Sequence, residues 1–268
     1  MKKILTLSIG ILLSSVLLFS CGTKKTVDEN DVIKVGVTPT PHGVIIDNLK
    51  DEFNKEGLKV ETVIFNDYVQ PNKVLNDGEL DANYFQHKPY FDTFVKEHNL
   101  DLEILGYVHI EPMGIYSTKY TSLADINEKD EILIPNDPTN GGRALLLLQK
   151  AGLITLKEDK LDATIFDIKD NPKKLKITPV DAPTIPKAYS DVAFGVINAN
   201  FAINANIDPK SAIFIESGDS PYANLVAVKS GKSSEEKFKK FIKVLQSDKA
   251  KEIIDKEFQG AVVPATDN

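Results

Sequence analysis

A single cysteine, Cys21, stands in the chain, so no disulfide can form within it. After Phe19 no apolar run approaches the roughly 20 residues that a membrane-spanning helix needs. There is no Gly-x-Ser-x-Gly elbow, and no phosphate-binding loop with its lysine and hydroxyl. Paired carboxylates occur only in hydrophilic runs, which read as surface. The four histidines, His42, His87, His98 and His109, lack a His-x-x-x-His spacing and a thiol to share a metal with, so no metal site is legible unless ligands are spread over distant segments. No catalytic residue, metal or cofactor is therefore expected. Arginine is almost absent too: Arg143 stands alone against 31 lysines.

What is present begins with a leader. Met1-Lys2-Lys3 precedes an apolar stretch from Ile4 to Phe19, and Ser20-Cys21-Gly22 follows. A positive start, an apolar core and a small residue before a cysteine make a secretory signal over residues 1–20. Leu18-Phe19-Ser20-Cys21 is similar to the lipobox of bacterial lipoproteins, which implies cleavage before Cys21 and acylation of that residue. Residues 21–32 are polar and are expected to form a flexible tether from lipidated Cys21. The chain would thus be extracytoplasmic and lipid-anchored to the bacterial membrane. Loss of Lys2 and Lys3 with the leader takes the formal charge from -7 to -9. An acidic surface argues against nucleic acid as a partner.

From Ile33 the pattern alternates between strand and helix. Ile33 to Val37 reads as a strand, the Pro39-to-Gly43 segment as a rigid loop, Val44 to Glu56 as a helix and Leu58 to Phe65 as a second strand. Helices are expected over Tyr68–Leu75 and Tyr90–His98, and strands over Leu102–Tyr107, Met113–Ser117 and Glu131–Pro135. A helix from Ala144 to Ala151 follows the loop that holds Arg143. Later strands are expected at Ile177–Val180, Val192–Ile197, Ala212–Glu216 and Leu225–Val228, with amphipathic helices at Ser233–Leu245 and Asp248–Phe258. Repeated β-α-β order means an α/β fold, here two lobes with a ligand crevice where strand ends meet loops.

Three constellations could carry binding chemistry. Arg143 follows Gly141-Gly142 at the start of an apolar run. Its planar fork suits a carboxylate or phosphate, where a lysine would offer only a point charge; the plain alternative is a surface arginine. Tyr68 with Asn83-Tyr84-Phe85-Gln86-His87-Lys88-Pro89-Tyr90 forms either an aromatic box suited to a thioether or a core cluster under a loop. Asn198 and Asn224 lie at strand ends, where each is either a turn residue or a holder of ammonium and carboxylate groups.

The blocks Val35 to Gly43, Ala82 to Tyr90, Asn136 to Leu148, Ala193 to Asn200 and Ser220 to Asn224 together resemble the NlpA/MetQ lipoproteins, substrate-binding proteins of bacterial methionine ABC importers. Asn83-Tyr84-Phe85-Gln86-His87 and Asn136-Asp137-Pro138-Thr139-Asn140-Gly141-Gly142-Arg143 are the specific motifs.

The resemblance implies a type II periplasmic-binding-protein-like fold: two α/β lobes joined by two crossing strands, with residues 33–116 plus 227–268 as one lobe and 117–226 as the other. It implies a monomer that captures L-methionine, its D-isomer, its sulfoxide or a methionine dipeptide. It would deliver the ligand to a permease with its ATPase. Arg143 would clamp the carboxylate, Asn198 and Asn224 would hold the amino and carboxylate ends, and Tyr68, Phe85 and His87 would wall the thioether, with Tyr84 and Asn140 as further candidates. Ala199 and Phe201 depart from the glycine and tyrosine of many relatives, and Phe201 lacks a hydroxyl for any bond made there. The alternatives are a surface lipoprotein with an interaction or antigenic role and a vestigial cleft, or a hydrolase on the same fold, for which no nucleophile–base pair is visible.

Overall fold

The structure, a computed structural model, describes residues 32–217 and 221–265. The expected leader, Cys21 and nearly all of the tether lie outside the described residues. Two sheets organise the chain. The first contains β1 (Val32–Val37), β2 (Lys59–Ile64), β3 (Ala82–His87), β4 (Leu102–Ile110), β12 (Ala223–Lys229) and β13 (Val263–Pro264), in the order β13-β4-β12-β3-β1-β2. The second contains β5 (Gly114–Tyr116), β6 (Glu131–Pro135), β9 (Lys176–Val180), β10 (Phe194–Ile197) and β11 (Phe214–Ile215), in the order β11-β5-β10-β6-β9. A small separate sheet pairs β7 (Thr155–Leu156) with β8 (Ile168–Asp170) antiparallel.

Alternation explains how each sheet is sandwiched. Ile33, Val35 and Val37 of β1 are fully buried, while Lys34 between them is exposed. They pack with helices α1 (Val44–Asn48), α2 (Lys50–Lys55), α8 (Glu236–Leu245) and α9 (Asp248–Phe258), where Phe53 stacks on Phe241 at 5.3 Å between ring centroids. The opposite face, through Leu225 and Ala227 of β12, meets Leu75 of α3 (Gln70–Asn76) and Phe91 of α4 (Lys88–His98). In the second sheet, Ile132 and Ile134 face α5 (Pro138–Lys150), whereas Leu133 faces α6 (Ile185–Ala188) and α7 (Ala199–Asn204). Each sheet therefore has its own two-sided core, and the fold is two-lobed α/β. Among the described residues no helix is long and apolar enough to cross a membrane.

Several expected boundaries shift. The helix expected over Val44–Glu56 breaks at fully buried Leu49. The one expected from Tyr68 starts at Gln70, with Pro71 in its first turn, where a missing N–H costs nothing. The resemblance puts the lobe boundaries after residues 116 and 226. Pairing places them earlier. Gly114–Tyr116 already pairs with β10 in the second sheet, and Ala223–Val226 already lies in the first. We therefore take the crossings as the segments between Ile110 and Gly114 and between Ile215 and Ala223.

Candidate functional site

The ends of β3, β6 and β10 converge on one cleft between the lobes, of about 340 Å³ counted together with the solvent space at its mouth. Tyr68, Phe85, Gln86, His87, Tyr90, Glu111, Asn140, Arg143, Asn198, Ala199, Asn200 and Asn224 line it. The first sheet supplies the aromatic side. Tyr68 lies 6.1 Å from Phe85 and 5.8 Å from Tyr90 between ring centroids. The Tyr90 hydroxyl donates to the Tyr68 carbonyl at 2.8 Å, fixing one ring against the other. Phe201, from the second lobe, packs on Tyr68 at 4.8 Å.

The second lobe supplies two helix N-termini. Asp137 caps α5 by accepting from the Asn140 N–H at 2.9 Å, so this helix begins at Pro138 and not at Ala144 as expected. Gly141 and Gly142 are therefore helical. Their low helix propensity favours a loop, but packing overrides it: a Cβ on Gly142 would stand 2.1 Å from the Leu161 carbonyl oxygen. Arg143 consequently projects from the second turn of a helix. Asn198 is the N-cap residue of α7.

Arg143 is 3% exposed, and its fork is already engaged. Nε donates to Glu216 Oε1 at 2.8 Å and Nη2 to Glu216 Oε2 at 2.5 Å. Nη2 also donates to the Glu111 carbonyl at 2.7 Å, and the guanidinium carbon lies 4.1 Å from the centre of the Tyr222 ring. The bidentate edge expected for a ligand carboxylate thus grips an internal one. Glu111 and Glu216 belong to the two inter-lobe segments, which also bond each other through the Met113 N–H and Glu216 Oε2 at 2.9 Å. Arg143 therefore ties both crossings together beside the cavity, and Nη1 is the nitrogen it has left to offer.

Glu111 is the centre of a second buried network. Its Oε1 lies 2.8 Å from His109 Nε2 and 3.2 Å from His42 Nε2, and its Oε2 accepts from the Asn200 N–H at 3.1 Å. The His42 Nε2–H also reaches Asn224 Oδ1 at 3.1 Å, while the Thr38 hydroxyl donates to His42 Nδ1 at 2.6 Å and that of Tyr84 to His109 Nδ1. One assignment satisfies every partner: both histidines neutral with the proton on Nε2, and Glu111 acting only as acceptor. Burial drives the histidine pKa values down, to about 4 for His42 and about 3 for His109. Burial also pushes Glu111 upward, while His42, Arg143 and the Asn200 N–H act in the opposite direction. The ligating atoms of His42, His109 and Glu111 lie within 4.8 Å of one another, a grouping of metal-ligand types that their sequence spacing hides, but here they bond each other.

His87 uses both ring nitrogens. Nδ1 accepts from the Tyr90 N–H at 3.2 Å, capping α4, and Nε2 lies 3.1 Å from Asn140 Oδ1 in the other lobe. Burial and then the nearby Arg143 charge lower its pKa to about 3, so it presents a neutral ring. Asn140 Oδ1 also accepts from Asn198 Nδ2 at 2.7 Å.

The sequence model of the NlpA lipoprotein family matches residues 33–266. The chain belongs to this family. The Escherichia coli K12 D-methionine-binding lipoprotein MetQ is 41% identical over 263 residues, covering 96% of each chain. The Bacillus subtilis methionine-binding lipoprotein MetQ is 39% identical over the whole of both chains. A solved structure of a Burkholderia cenocepacia nutrient-binding protein bound to methionine has 45% identity and a TM-score of 0.85, covering 87% of this chain and all of that one.

In this NlpA-family chain the structure brings together Tyr68, Phe85, His87, Asn140, Arg143, Asn198 and Asn224. Tyr84 is a correction. It is fully buried in the first-lobe core, lies outside the cavity lining, and reaches the site through His42 and His109. Glu111, Asn200 and Glu216 were missed as site residues, and Tyr90 was read only as a member of the aromatic box. Glu111 had one readable signal: a lone acid within the apolar stretch from Val108 to Met113.

The three depressed histidines make a pH prediction. Each binds a proton in the unfolded chain near pH 6.5 but stays neutral when folded until about pH 3–4. The unfolded state therefore holds more protons across this window, and stability falls as pH drops. Each histidine contributes up to about 1.4 kcal/mol per pH unit, opposed by the raised Glu111 just above its ordinary range. Urea midpoints should decline steadily from pH 7 to pH 5. A flat profile would mean the histidines are not buried neutral.

Proposed function

We propose that this protein is the substrate-binding lipoprotein of an ABC importer, a non-enzymatic receptor for methionine or a close relative. The observation that carries the reading is the polar complementarity of the cavity to a zwitterion. Acceptors are among its lining groups: the Glu111 carboxylate and Asn198 Oδ1, a buried atom without a hydrogen-bond partner. These suit an ammonium. Donors line it as well: Arg143 Nη1 and the amide nitrogen of Asn224, whose Oδ1 is taken by His42. These suit a carboxylate. The Tyr68, Phe85 and Tyr90 rings suit the thioether, since sulfur–aromatic contacts contribute about 0.3–1.5 kcal/mol each. The names of the relatives, and the methionine in the Burkholderia structure, point to the same ligand.

A permease with its ATPase is the partner to which a monomeric receptor hands its cargo, and acylated Cys21 holds the receptor at the membrane. Ligand-depleted protein should give heat and a raised melting temperature with L-methionine, D-methionine, the sulfoxide or a methionyl dipeptide. At 100 times the dissociation constant the stabilisation is about 2.7 kcal/mol. Silence with all four would overturn the reading. Cys21→Ala should release the protein from membranes with unchanged ligand affinity; retention at the membrane would refute the lipid anchor.

A further inference from the structure

Asn200 carries a donor with no use in the protein itself. It is 2% exposed and lines the cavity from the first turn of α7. Its Oδ1 accepts from the Tyr68 hydroxyl at 2.6 Å, a bond between the two lobes. Its backbone N–H donates to Glu111 Oε2 at 3.1 Å. Its Nδ2 has no hydrogen-bond partner. A buried amide N–H left unmade costs about 1–3 kcal/mol, so an orphan of this kind marks either strain or a missing acceptor. Two of the orphaned buried atoms among the described residues, Asn198 Oδ1 and Asn200 Nδ2, line this one cavity, two residues apart and of opposite polarity.

We propose that Asn200 is a ligand-contacting latch: its Nδ2 donates to an oxygen of the bound amino acid while its Oδ1 holds Tyr68 across the cleft. The inference rests on the amino-acid-binding reading above. It adds a specificity residue and a physical link between occupancy and closure. An oxygen of the ligand fixes the amide plane, and the fixed amide presents its carbonyl to Tyr68. Tyr68 in turn lies against Phe85, Tyr90 and Phe201, so the aromatic wall is set by the same contact. The accepting oxygen is one of the carboxylate, the oxygen-bearing group that methionine and its sulfoxide share.

The amide orientation makes the idea testable by an isosteric change. Asn200→Asp keeps an acceptor for Tyr68 but replaces the cavity-facing donor by a second acceptor. Titration calorimetry with L-methionine should show a loss of roughly 100-fold or more for Asn200→Asp, because like charges face each other, and roughly tenfold for Asn200→Ala. The melting temperature of the ligand-free variants reports separately whether they fold. Small-angle scattering should show a smaller compaction on adding ligand to Tyr68→Phe than to wild type. With methionine sulfoxide, Asn200→Ala should carry the same penalty as with methionine, because both ligands present the carboxylate; a penalty confined to the sulfoxide would overturn the latch for methionine. Equal or tighter methionine binding by Asn200→Asp would overturn it, as would an unchanged Asn200→Ala. Wild-type affinity for methionine tests the functional reading itself. The ratio of variant to wild type, with whichever of these ligands the wild type binds, tests the latch.

Discussion

Arg143→Lys should weaken methionine binding by about 100-fold and cost the ligand-free protein about 3 kcal/mol or more. The two losses share one cause. The guanidinium meets Glu216 with two nitrogens and the Glu111 carbonyl with one of them, in a site where both charged side chains are almost fully buried. A lysine ammonium can stand at one of these positions but lacks the planar fork. Glu216 would then keep a buried charge with a poorer partner, and breaking a buried pair costs about 3–5 kcal/mol. Binding suffers because Nη1 would vanish and because the two inter-lobe segments lose their common tie. Calorimetry and urea denaturation on the same sample separate the effects. Undiminished affinity together with wild-type stability would remove Arg143 from both roles.

Glu111→Gln should be nearly as severe for binding, again about 100-fold, with a smaller loss of stability of roughly 1–3 kcal/mol. The substitution is close to isosteric but removes the negative charge that faces the cavity. It also breaks the donor–acceptor pattern. Oε1 receives His109 and approaches His42, and Oε2 receives the Asn200 N–H. A glutamine amide can offer an oxygen to the histidines or to the backbone but not to both. Its NH₂ then opposes either a ring N–H or the Asn200 N–H. The loss should fall hardest on ligands with a free ammonium. If Glu111→Gln binds methionine as wild type does, the carboxylate serves the fold alone.

How much of this was legible in the sequence depended on the range of the contact. α9 was read at its observed bounds because its apolar spacing is local. Asn198 at the end of β10 was legible for the same reason: an apolar strand followed by a capping residue. The start of α5 was not, because helical glycines are required there by a chain segment about 20 residues away, whose Leu161 carbonyl leaves no room for a Cβ on Gly142. That Arg143 would grip an anion was legible as chemistry, but which anion was not. Its fork was expected to meet an anion, and it does; that the anion is Glu216, 73 residues on, is a tertiary fact. His109 and Glu111 are neighbours two residues apart, but His42 comes from a distant segment that the fold brings beside them, so spacing rules find nothing. Asn200 reads as a helix residue until its unpaired amide is seen facing the cavity.

The central claim is that the cavity reads both ends of an amino-acid zwitterion beside an aromatic wall. The most direct measurement is calorimetric titration of ligand-depleted wild-type protein with L-methionine and, in parallel, N-acetyl-L-methionine. The expected result is saturable one-to-one binding of L-methionine and little or none of the acetylated form, which keeps the thioether and carboxylate but loses the ammonium that Glu111 and Asn198 await. Comparable binding of the two compounds, or of neither, would contradict it.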